Sequence, residues 1–573
     1  MSQAFTLEQQ RYLEGFFAGI SACRQTPLGR PRPSAPPTPS SSSGEDFTKE
    51  ERIKRELHPL DATESLFDDA RANVAPDSED VFRFKWNGLF WLNPVKDGYM
   101  CRLRIPGGVV QAHQLREVAA IADELTTGYI QITTRSNFQI RVIRPKDCPE
   151  VLRRIQACGL HSRGAGGDNI RNLTASPTSG FDPYELIDVM PFVRELAQII
   201  ISSREFYNLP RKFNIAFDGG GLISCVEDTN DIGATAVRVD EGVGGLKAGV
   251  YFRLALGGVT GHQTFARDWG VLVAPDQIVS VCLALLRVFI RDGDRSSRKK
   301  ARLKYLVESR GLPGLLADTE ALLKFKLPRV PADAHGQHKP ERPPADHPHV
   351  GIYPQRQSGL VYIGAAVPVG QVTSQQLRRV ADLAENYGSG EIRLTVWQNF
   401  ILPHVPEAYG ATVAKQLRKI GFDTKQSHLR SGFVACTGNR YCKYAASDTK
   451  GHAVEVMKQL DKRLTLDQPV NIHFTGCPHS CAQHFMADIG LLGAKVKVHG
   501  ETVEGYHITV GGGFGEHQAI GRQIFTGVPF SEITPTLERM LRTYQERRRP
   551  HERFQDFCAR HELGQLQEMF SAA

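Results

Sequence analysis

YIQITTRSNFQIRVI (Tyr129–Ile143) has a counterpart further along the chain in EIRLTVWQNFILPHV (Glu391–Val405). Thr133 aligns with Thr395, Asn137 with Asn399 and Phe138 with Phe400, at a constant offset of 262 residues. Working outward at the same offset, Ala122 meets Ala384, Ala119 meets Ala381, Val118 meets Val380, Leu115 meets Leu377, Gly108 meets Gly370 and Pro106 meets Pro368. Chance gives about one identity in fifteen for average composition, so the chain reads as a duplication. Each copy predicts strand, turn, helix, strand. In the first copy these are YMCRLRIPGG, AHQLREVAAIADEL and the stretch quoted above. The helix carries an apolar face at Leu115, Val118, Ala119 and Ala122, and the last strand alternates. A second repeat follows each of these units. KFNIAFDGG (Lys212–Gly220) matches PVNIHFTGC (Pro469–Cys477), so Asn214 aligns with Asn471 and Gly220 falls opposite Cys477. The two halves share an ancestor and differ in chemistry, and the interface between such halves is a natural place for a large cofactor.

The chemistry of the second half lies in ACTGNRYCKYAASDTK and FTGCPHSCAQHFMADIGLLGA, between Ala435 and Ala494. Cys436 and Cys442 form C-x5-C, and Cys477 and Cys481 form C-x3-C. Four converging thiolates suit an iron–sulfur cluster or a structural zinc, with plain buried cysteines as the remaining reading. Three features favour the cluster. A five-residue gap is loose for a zinc knuckle. Gly438, Gly476 and Pro478 let backbone amides approach sulfide closely. The apolar run at Ile489, Leu491 and Leu492 offers a dry wall that tunes a redox potential.

CTGNRYC followed by TGCPHSC resembles the signature of the sirohaem-dependent nitrite and sulfite reductases. The resemblance spans roughly residues 50–545. It implies a [4Fe–4S] cluster on Cys436, Cys442, Cys477 and Cys481, with Cys481 also bridging to the sirohaem iron. It further implies four polar side chains above that iron: Arg102 from R-x-x-x-P-x-G, Arg171 from D-N-x-R-N, and Lys212 and Asn214 from P-R-K-x-N. Cations there neutralise an oxyanion and pass protons to it. Sulfite-type members tend to carry a second lysine where this chain has Asn214. Nitrite bears a single negative charge and needs less compensation, so the resemblance points to nitrite, with sulfite as the alternative. Sirohaem contacts carried over at matching positions are Thr133, Arg135, Gln139, Arg211, Arg298, Lys299, Gln398 and Asn399. The chain departs from the family at His479, where Asn is usual, and at Ser136, where Gln is usual.

The residues themselves support an anion site in the first half. RLRIPGG, TTRSNFQIR, GGDNIRN, LPRKFN and DRSSRKKARLKY bring cations into apolar or glycine-rich surroundings. Singly, each reads as an ordinary strand or salt bridge. Sirohaem carries eight carboxylates, and burying these requires matched donors, for which the planar fork of arginine is well suited.

The expected architecture is α/β (α+β) and internally duplicated. Residues 1–45 hold a helix (6–20) and a disordered Pro/Ser linker, and 46–150 an extension with the first ferredoxin-like half-domain. A first sirohaem lobe follows at 151–326, a linker at 327–349, the second ferredoxin-like half-domain at 350–418, an Fe–S and sirohaem lobe at 419–545, and a tail at 546–573. The linker's histidines (His335, His338, His347, His349) read as a solvated hinge. The basic run RTYQERRRPHERF reads as a solvated terminal helix rather than a docking face.

Charged residues at 23% and hydrophobics at 41% are ordinary for a soluble protein, and the net charge of +8 fits an acidic partner or an anionic cofactor without demanding nucleic acid. Eleven cysteines without paired spacing outside the motif argue for a reducing, cytoplasmic setting. Neither a membrane span nor a signal peptide is expected. GGG at Gly219–Gly221 lacks a nucleotide-binding register, which leaves a separate electron donor such as ferredoxin. The reading is a monomeric ferredoxin-dependent reductase taking nitrite to ammonium. Its rivals are a sulfite reductase, a cobalamin-pathway oxygenase with the same cysteine pattern, and a zinc-stabilised binding protein.

Overall fold

The repeated pattern folds twice. In the computed structural model, which describes residues 47–339 and 347–571, helix α1 (Lys49–Glu56) leads into the first half-domain. The helix expected over 6–20 and the Pro/Ser linker over 25–45 lie outside the described residues. The first half-domain supplies β1 (Leu89–Trp91), β2 (Tyr99–Arg102), β3 (Val109–Gln111), α2 (Ala112–Leu125), β4 (Tyr129–Ile132), β5 (Phe138–Ile143) and α3 (Cys148–Ala157). The first lobe follows with β6 (Thr174–Ala175), α4 (Met190–Ser202), β7 (Ile215–Asp218), β8 (Ile232–Val239), β9 (Gly249–Leu256), β10 (Arg267–Val273), α5 (Ile278–Asp292) and α6 (Leu303–Glu320). The short strand β11 (Gln337–His338) pairs with β8.

The second half-domain repeats the first as β12 (Gly351–Pro354), β13 (Leu360–Ala365), β14 (Gln371–Thr373), α7 (Ser374–Tyr387), β15 (Glu391–Leu394), β16 (Phe400–Pro406) and α8 (Glu407–Lys419). The second lobe contains β17 (Phe433–Ala435), α9 (Thr449–Asp461), β18 (Ile472–Thr475), β19 (Ile489–Val498), β20 (Glu501–Val510), β21 (Arg522–Pro529) and α10 (Phe530–Arg547). It ends in α11 (Phe554–Ala559) and α12 (Leu563–Ser571).

Helices α2 and α7 start alike. Gln111 N donates to Gln114 Oε1 at 3.0 Å, and Thr373 N donates to Gln376 Oε1 at 2.9 Å, so in each copy a side chain three residues on satisfies a free amide at the helix start. Their buried faces are Leu115, Val118, Ala119 and Ala122 in one and Leu377, Val380, Ala381 and Ala384 in the other. All eight residues belong to one hydrophobic core shared by both half-domains.

The half-domains exchange a strand. One sheet runs β1-β2-β5-β4-β14 and the other β12-β13-β16-β15-β3, so each is completed by the third strand of the other copy. The division at 46–150 and 350–418 therefore describes the chain but not a boundary in space. Gly108 and Gly370 make the crossing possible. Both have positive φ (75° and 68°), and a Cβ on either would lie 2.4 Å from a carbonyl oxygen of the other half, Leu394 O and Ile132 O respectively.

The lobes repeat as well. The parallel strands β6, β7 and β8 continue into antiparallel β9 and β10, and β17, β18 and β19 continue in the same way into β20 and β21.

Two expectations need correction. The 327–349 segment is not a uniform solvated hinge. His338 Nε2 lies 2.9 Å from Asp240, Arg329 pairs with Glu320, and His347 and His349 are buried, the latter stacked on Trp397. Residues 546–571 are not an appendage, because Phe554, Phe557, Leu566 and Phe570 are buried in the core of the second lobe. Two of their basic residues pair within the protein, Arg548 with Asp467 and Arg560 with Glu552, while Arg547 and Arg549 are exposed. Among the described residues no helix is long and apolar enough to cross a membrane.

Candidate active site

The lobes and half-domains meet around a cavity of about 410 Å³, within the range of ligand pockets. Six arginines and two lysines line it, and among the described residues no carboxylate does. Strand ends and the loops beside them deliver the side chains. Arg102 comes from the end of β2, Arg171 from the loop before β6, and Arg211, Lys212 and Asn214 from the approach to β7. Arg298 and Arg302 follow α5, and Cys436 and Cys481 come from the loops after β17 and β18.

Arg102 and Arg171 are held by backbone carbonyls. Arg102 Nη1 donates to Ala165 O at 3.3 Å and lies over the Phe90 ring. Arg171 donates to Ala165 O at 2.7 Å and to Gly167 O at 3.0 Å. Lys212 Nζ and the Asn214 side-chain amide have no protein hydrogen-bond partner among the described residues, and both line the cavity. Burial, then the neighbouring Arg302, Arg171 and Arg211, bring Lys212 down to about 7, while Cys481 opposes the shift. Burial and the cations Arg102 and Arg211 likewise push Arg171 well down. A site that depresses its own cations in this way is one that an anion would stabilise.

Arg298 and Arg211 share a buried anchor. Asp168 accepts two hydrogen bonds from Arg298 at 2.8 Å each and one from Arg211 at 3.4 Å, with Lys54 Nζ of α1 at 3.7 Å. Arg135 also lines the cavity, but its guanidinium donates to Asn172 O at 2.9 Å and Asn230 Oδ1 at 2.8 Å. Thr133 bonds Asn137 and the Arg135 amide, and Gln139 accepts from Arg141. Gln398 pairs with the backbone of Ala435 in both directions, at 2.9 and 3.0 Å, and so holds the residue before Cys436.

Two sequence-derived contacts fall elsewhere. Lys299 is exposed and outside the cavity, because the turn after α5 points Arg298 inward and its neighbour outward. Asn399 is buried in a turn of the second half-domain, where its Oδ1 accepts from Val367 N at 2.7 Å. Its counterpart Asn137 holds the matching turn by donating to Leu103 O at 2.7 Å.

The four cysteines gather on the second-lobe side. Cys436 and Cys481 open on the cavity, and Cys442 and Cys477 do not line it. Gly476 N donates to Cys436 Sγ at 3.2 Å, and His479 Nδ1 lies 3.4 Å from Cys477 Sγ. Cys481 is accessible from within the cavity but ringed by protein. Burial and the neighbouring Cys436 raise its thiol, with Lys212 and Arg102 opposing. Burial takes Cys477 up to about 12, with Cys481, Cys442 and Cys436 adding to the shift. Among the described residues no three of these sulfurs lie within 4.8 Å of one another. Zinc, with bonds of about 2.3 Å, would draw its thiolates closer than that, whereas a cube of irons and sulfides carries them on well-separated corners. The donor set therefore fits a cluster, and the cation-rich cavity lining, free of carboxylates among the described residues, fits a polyanion.

Three further residues belong to the site. Arg302 donates to Asp231 at 2.7 Å. Lys450, in the first turn of α9, donates to Ala435 O at 3.3 Å beside Cys436 and is brought down to about 7, chiefly by burial. Arg141 reaches Thr437 Oγ1 at 2.7 Å, next to Cys436. Arg141 closes the cation-bearing run TTRSNFQIR. Lys450 and Arg302 had no periodic signal, only membership of cation-bearing runs beside the motifs.

Comparison with known proteins agrees with this geometry. The model described as "Nitrite and sulphite reductase 4Fe-4S domain" matches residues 166–327 and 429–572, and "Nitrite/Sulfite reductase ferredoxin-like half domain" matches 93–158 and 353–420. Each matches twice, as the duplication requires, and the first continues through the C-terminal helices. A ferredoxin–nitrite reductase of Synechococcus elongatus is 35% identical over 520 residues, covering 88% of this chain and 97% of that protein. An assimilatory ferredoxin-dependent nitrite reductase of Haloferax mediterranei is 30% identical, covering 89% and 91%. The solved structure of the Mycobacterium tuberculosis NirA protein superposes with a TM-score of 0.84 at 29% identity, covering 91% of this chain and 98% of that one.

Proposed function

The chain belongs to the nitrite and sulphite reductase family, and from that premise we propose that it carries out the six-electron reduction of nitrite to ammonium with ferredoxin as electron donor, in a cytoplasmic setting. The observation that carries this reading is a cavity lined by Arg102, Arg171, Arg211, Lys212, Arg298 and Arg302 together with Cys436 and Cys481, and by no carboxylate among the described residues. Cys436, Cys442, Cys477 and Cys481 would hold a [4Fe–4S] cluster. Arg211, Arg298 and their neighbours would pair with the carboxylates of a sirohaem. Together these groups supply one-electron transfer and an iron that binds the substrate.

The protein's own part is binding and proton handling. Arg102 and Arg171 present charge to the oxyanion from fixed carbonyl anchors, so little reorganisation is needed when it binds. Lys212 Nζ, brought down to about 7, is shared between its charged and neutral forms near neutral pH, so it can offer charge to the oxyanion and release a proton as oxygen leaves as water. Asn214 offers a neutral donor, which supports nitrite over the more highly charged sulfite.

The purified protein should be coloured, contain iron and acid-labile sulfide, and consume nitrite faster than sulfite with reduced ferredoxin or a reduced viologen dye. A marked preference for sulfite would overturn the substrate. A colourless protein with stoichiometric zinc would overturn the whole reading.

A further inference from the structure

The duplicated lobes handle one aspartate differently. In the second lobe Asp488 Oδ2 accepts the backbone N of Asn471 at 2.8 Å and its side-chain Nδ2 at 3.3 Å. The matching pair in the first lobe, at the same offset, is Asp231 and Asn214. The backbone bond is retained, with Asn214 N to Asp231 Oδ2 at 2.8 Å. The side-chain bond is absent. The same oxygen instead accepts Arg302 Nη2 at 2.7 Å, and the freed Asn214 amide lines the cavity.

We propose that Arg302 is a positioning residue for the oxyanion, which, by occupying Asp231, releases the Asn214 side chain into the substrate cavity. The inference rests on the reading of the cavity as an oxyanion site and adds the device that supplies its neutral donor. Neutralising Asp231 does not by itself require an arginine. Asp488 is buried at the equivalent place with Asn471 as its side-chain hydrogen-bond partner. Arg302 is 4% exposed, and its Nε and Asp231 Oδ1 both lack partners, so the two groups meet through one contact rather than as a closed fork. That contact falls on the oxygen that holds the asparagine in the sister lobe. Without it, Asp231 Oδ2 is open to the Asn214 amide as Asp488 Oδ2 is to Asn471, and the amide would turn away from the substrate.

A double-mutant cycle tests this on the holoenzyme, using Arg302→Met, Asn214→Ala and the pair, with Arg302→Lys as the conservative variant. The readouts are nitrite affinity of the oxidised enzyme by absorption titration, and the split between KM and kcat. Arg302→Met should weaken nitrite binding about tenfold, the worth of a hydrogen bond to a charged group, with a smaller change in kcat. It should have little further effect once Asn214 is alanine, and lysine should recover most of the loss. Equal losses in both backgrounds would mean that Arg302 acts by its charge alone and would overturn the proposal, as would no loss at all. A crystal structure of Arg302→Met needs neither cofactor nor substrate. The Asn214 amide should lie within hydrogen-bond distance of Asp231, and an amide still facing the cavity refutes the idea. If the methionine variant does not fold, Arg302→Gln serves in both arms. A wild-type enzyme inert to nitrite would sink the proposed function, and the structural arm would still decide this inference.

Discussion

A cavity cation is only as well placed as the acid behind it, and Asp168 shows this most clearly. It is fully buried, and burial alone would raise its pKa. Arg298, Lys54 and Arg211 overcome that and hold it below the ordinary carboxylate range. Asp168→Asn keeps the shape and removes the charge, leaving Arg298 and Arg211 to repel each other at the cavity wall. We expect a loss of about 3 kcal/mol, read as a lower denaturant midpoint, together with less bound chromophore per chain. The lysines give a second prediction at this scale. Lys212 and Lys450 are each brought from 10.5 to about 7 in the folded chain, chiefly by burial. Between pH 7 and 10 the unfolded chain therefore binds more protons than the folded one, so stability rises with pH across that window and is lost as pH falls through 7. Urea midpoints of the cofactor-free protein at pH 7 and 9 should show the rise, and Lys450→Met should reduce it. An unchanged slope in the variant would remove Lys450 as a cause.

Strand exchange makes the half-domains one cooperative element. Gly370 sits at φ 68° with Ile132 O 2.4 Å from where a Cβ would stand. Gly370→Ala adds a left-handed alanine to a backbone clash and should cost about 2 kcal/mol or more. Because β14 completes the other copy's sheet, fluorescence of Trp91 in the first half should report the loss as strongly as that of Trp397 in the second. A midpoint shift confined to one half would contradict a shared core. The duplication, the helices α2 and α7 and the cysteine quartet were all legible in sequence, because identity at a fixed offset, a period near four and ligand spacing are local signals. The exchange was not. β3 and β14 are three residues each, and in a duplicated chain either copy's strand fits either sheet equally well. The same limit explains the site residues. Family motifs located Arg102, Arg171, Lys212 and Asn214, which the fold brings to one cavity. They did not distinguish Arg298 from Lys299, where one step along a turn reverses the side chain. Nor did they separate Gln398, which holds Ala435, from Asn399, which only closes a turn.

Across the whole molecule, composition misleads most in the segment that joins the halves. A run rich in Pro, His and charge reads as solvated, yet His347 and His349 enter a buried cluster. His349 stacks on Trp397 of the second half-domain at 5.5 Å, and His473 of the second lobe meets that ring at a steep angle at 6.3 Å. Tertiary burial overrides local polarity here. Burial also takes His347 down to about 3 and His349, His473 and His484 to about 4. Each of these rings takes up a proton near pH 6.5 in the unfolded chain and only below about 4 in the folded one. The unfolded state therefore binds more protons throughout that interval. The histidines' contribution is full above pH 6.5 and falls as pH drops toward 4, with a slope of up to about 1.4 kcal/mol per pH unit for each histidine. Taken with the lysines, stability of the cofactor-free chain should climb in two steps, one complete by about pH 6.5 and the other beginning near 7. Urea midpoints from pH 5 to 9 should resolve them. Replacing His349 with the similarly flat Phe should make the lower step shallower by one histidine's share and leave the upper one unchanged, and a variant that still loses stability as steeply below pH 6.5 would show that His349 is not among its sources.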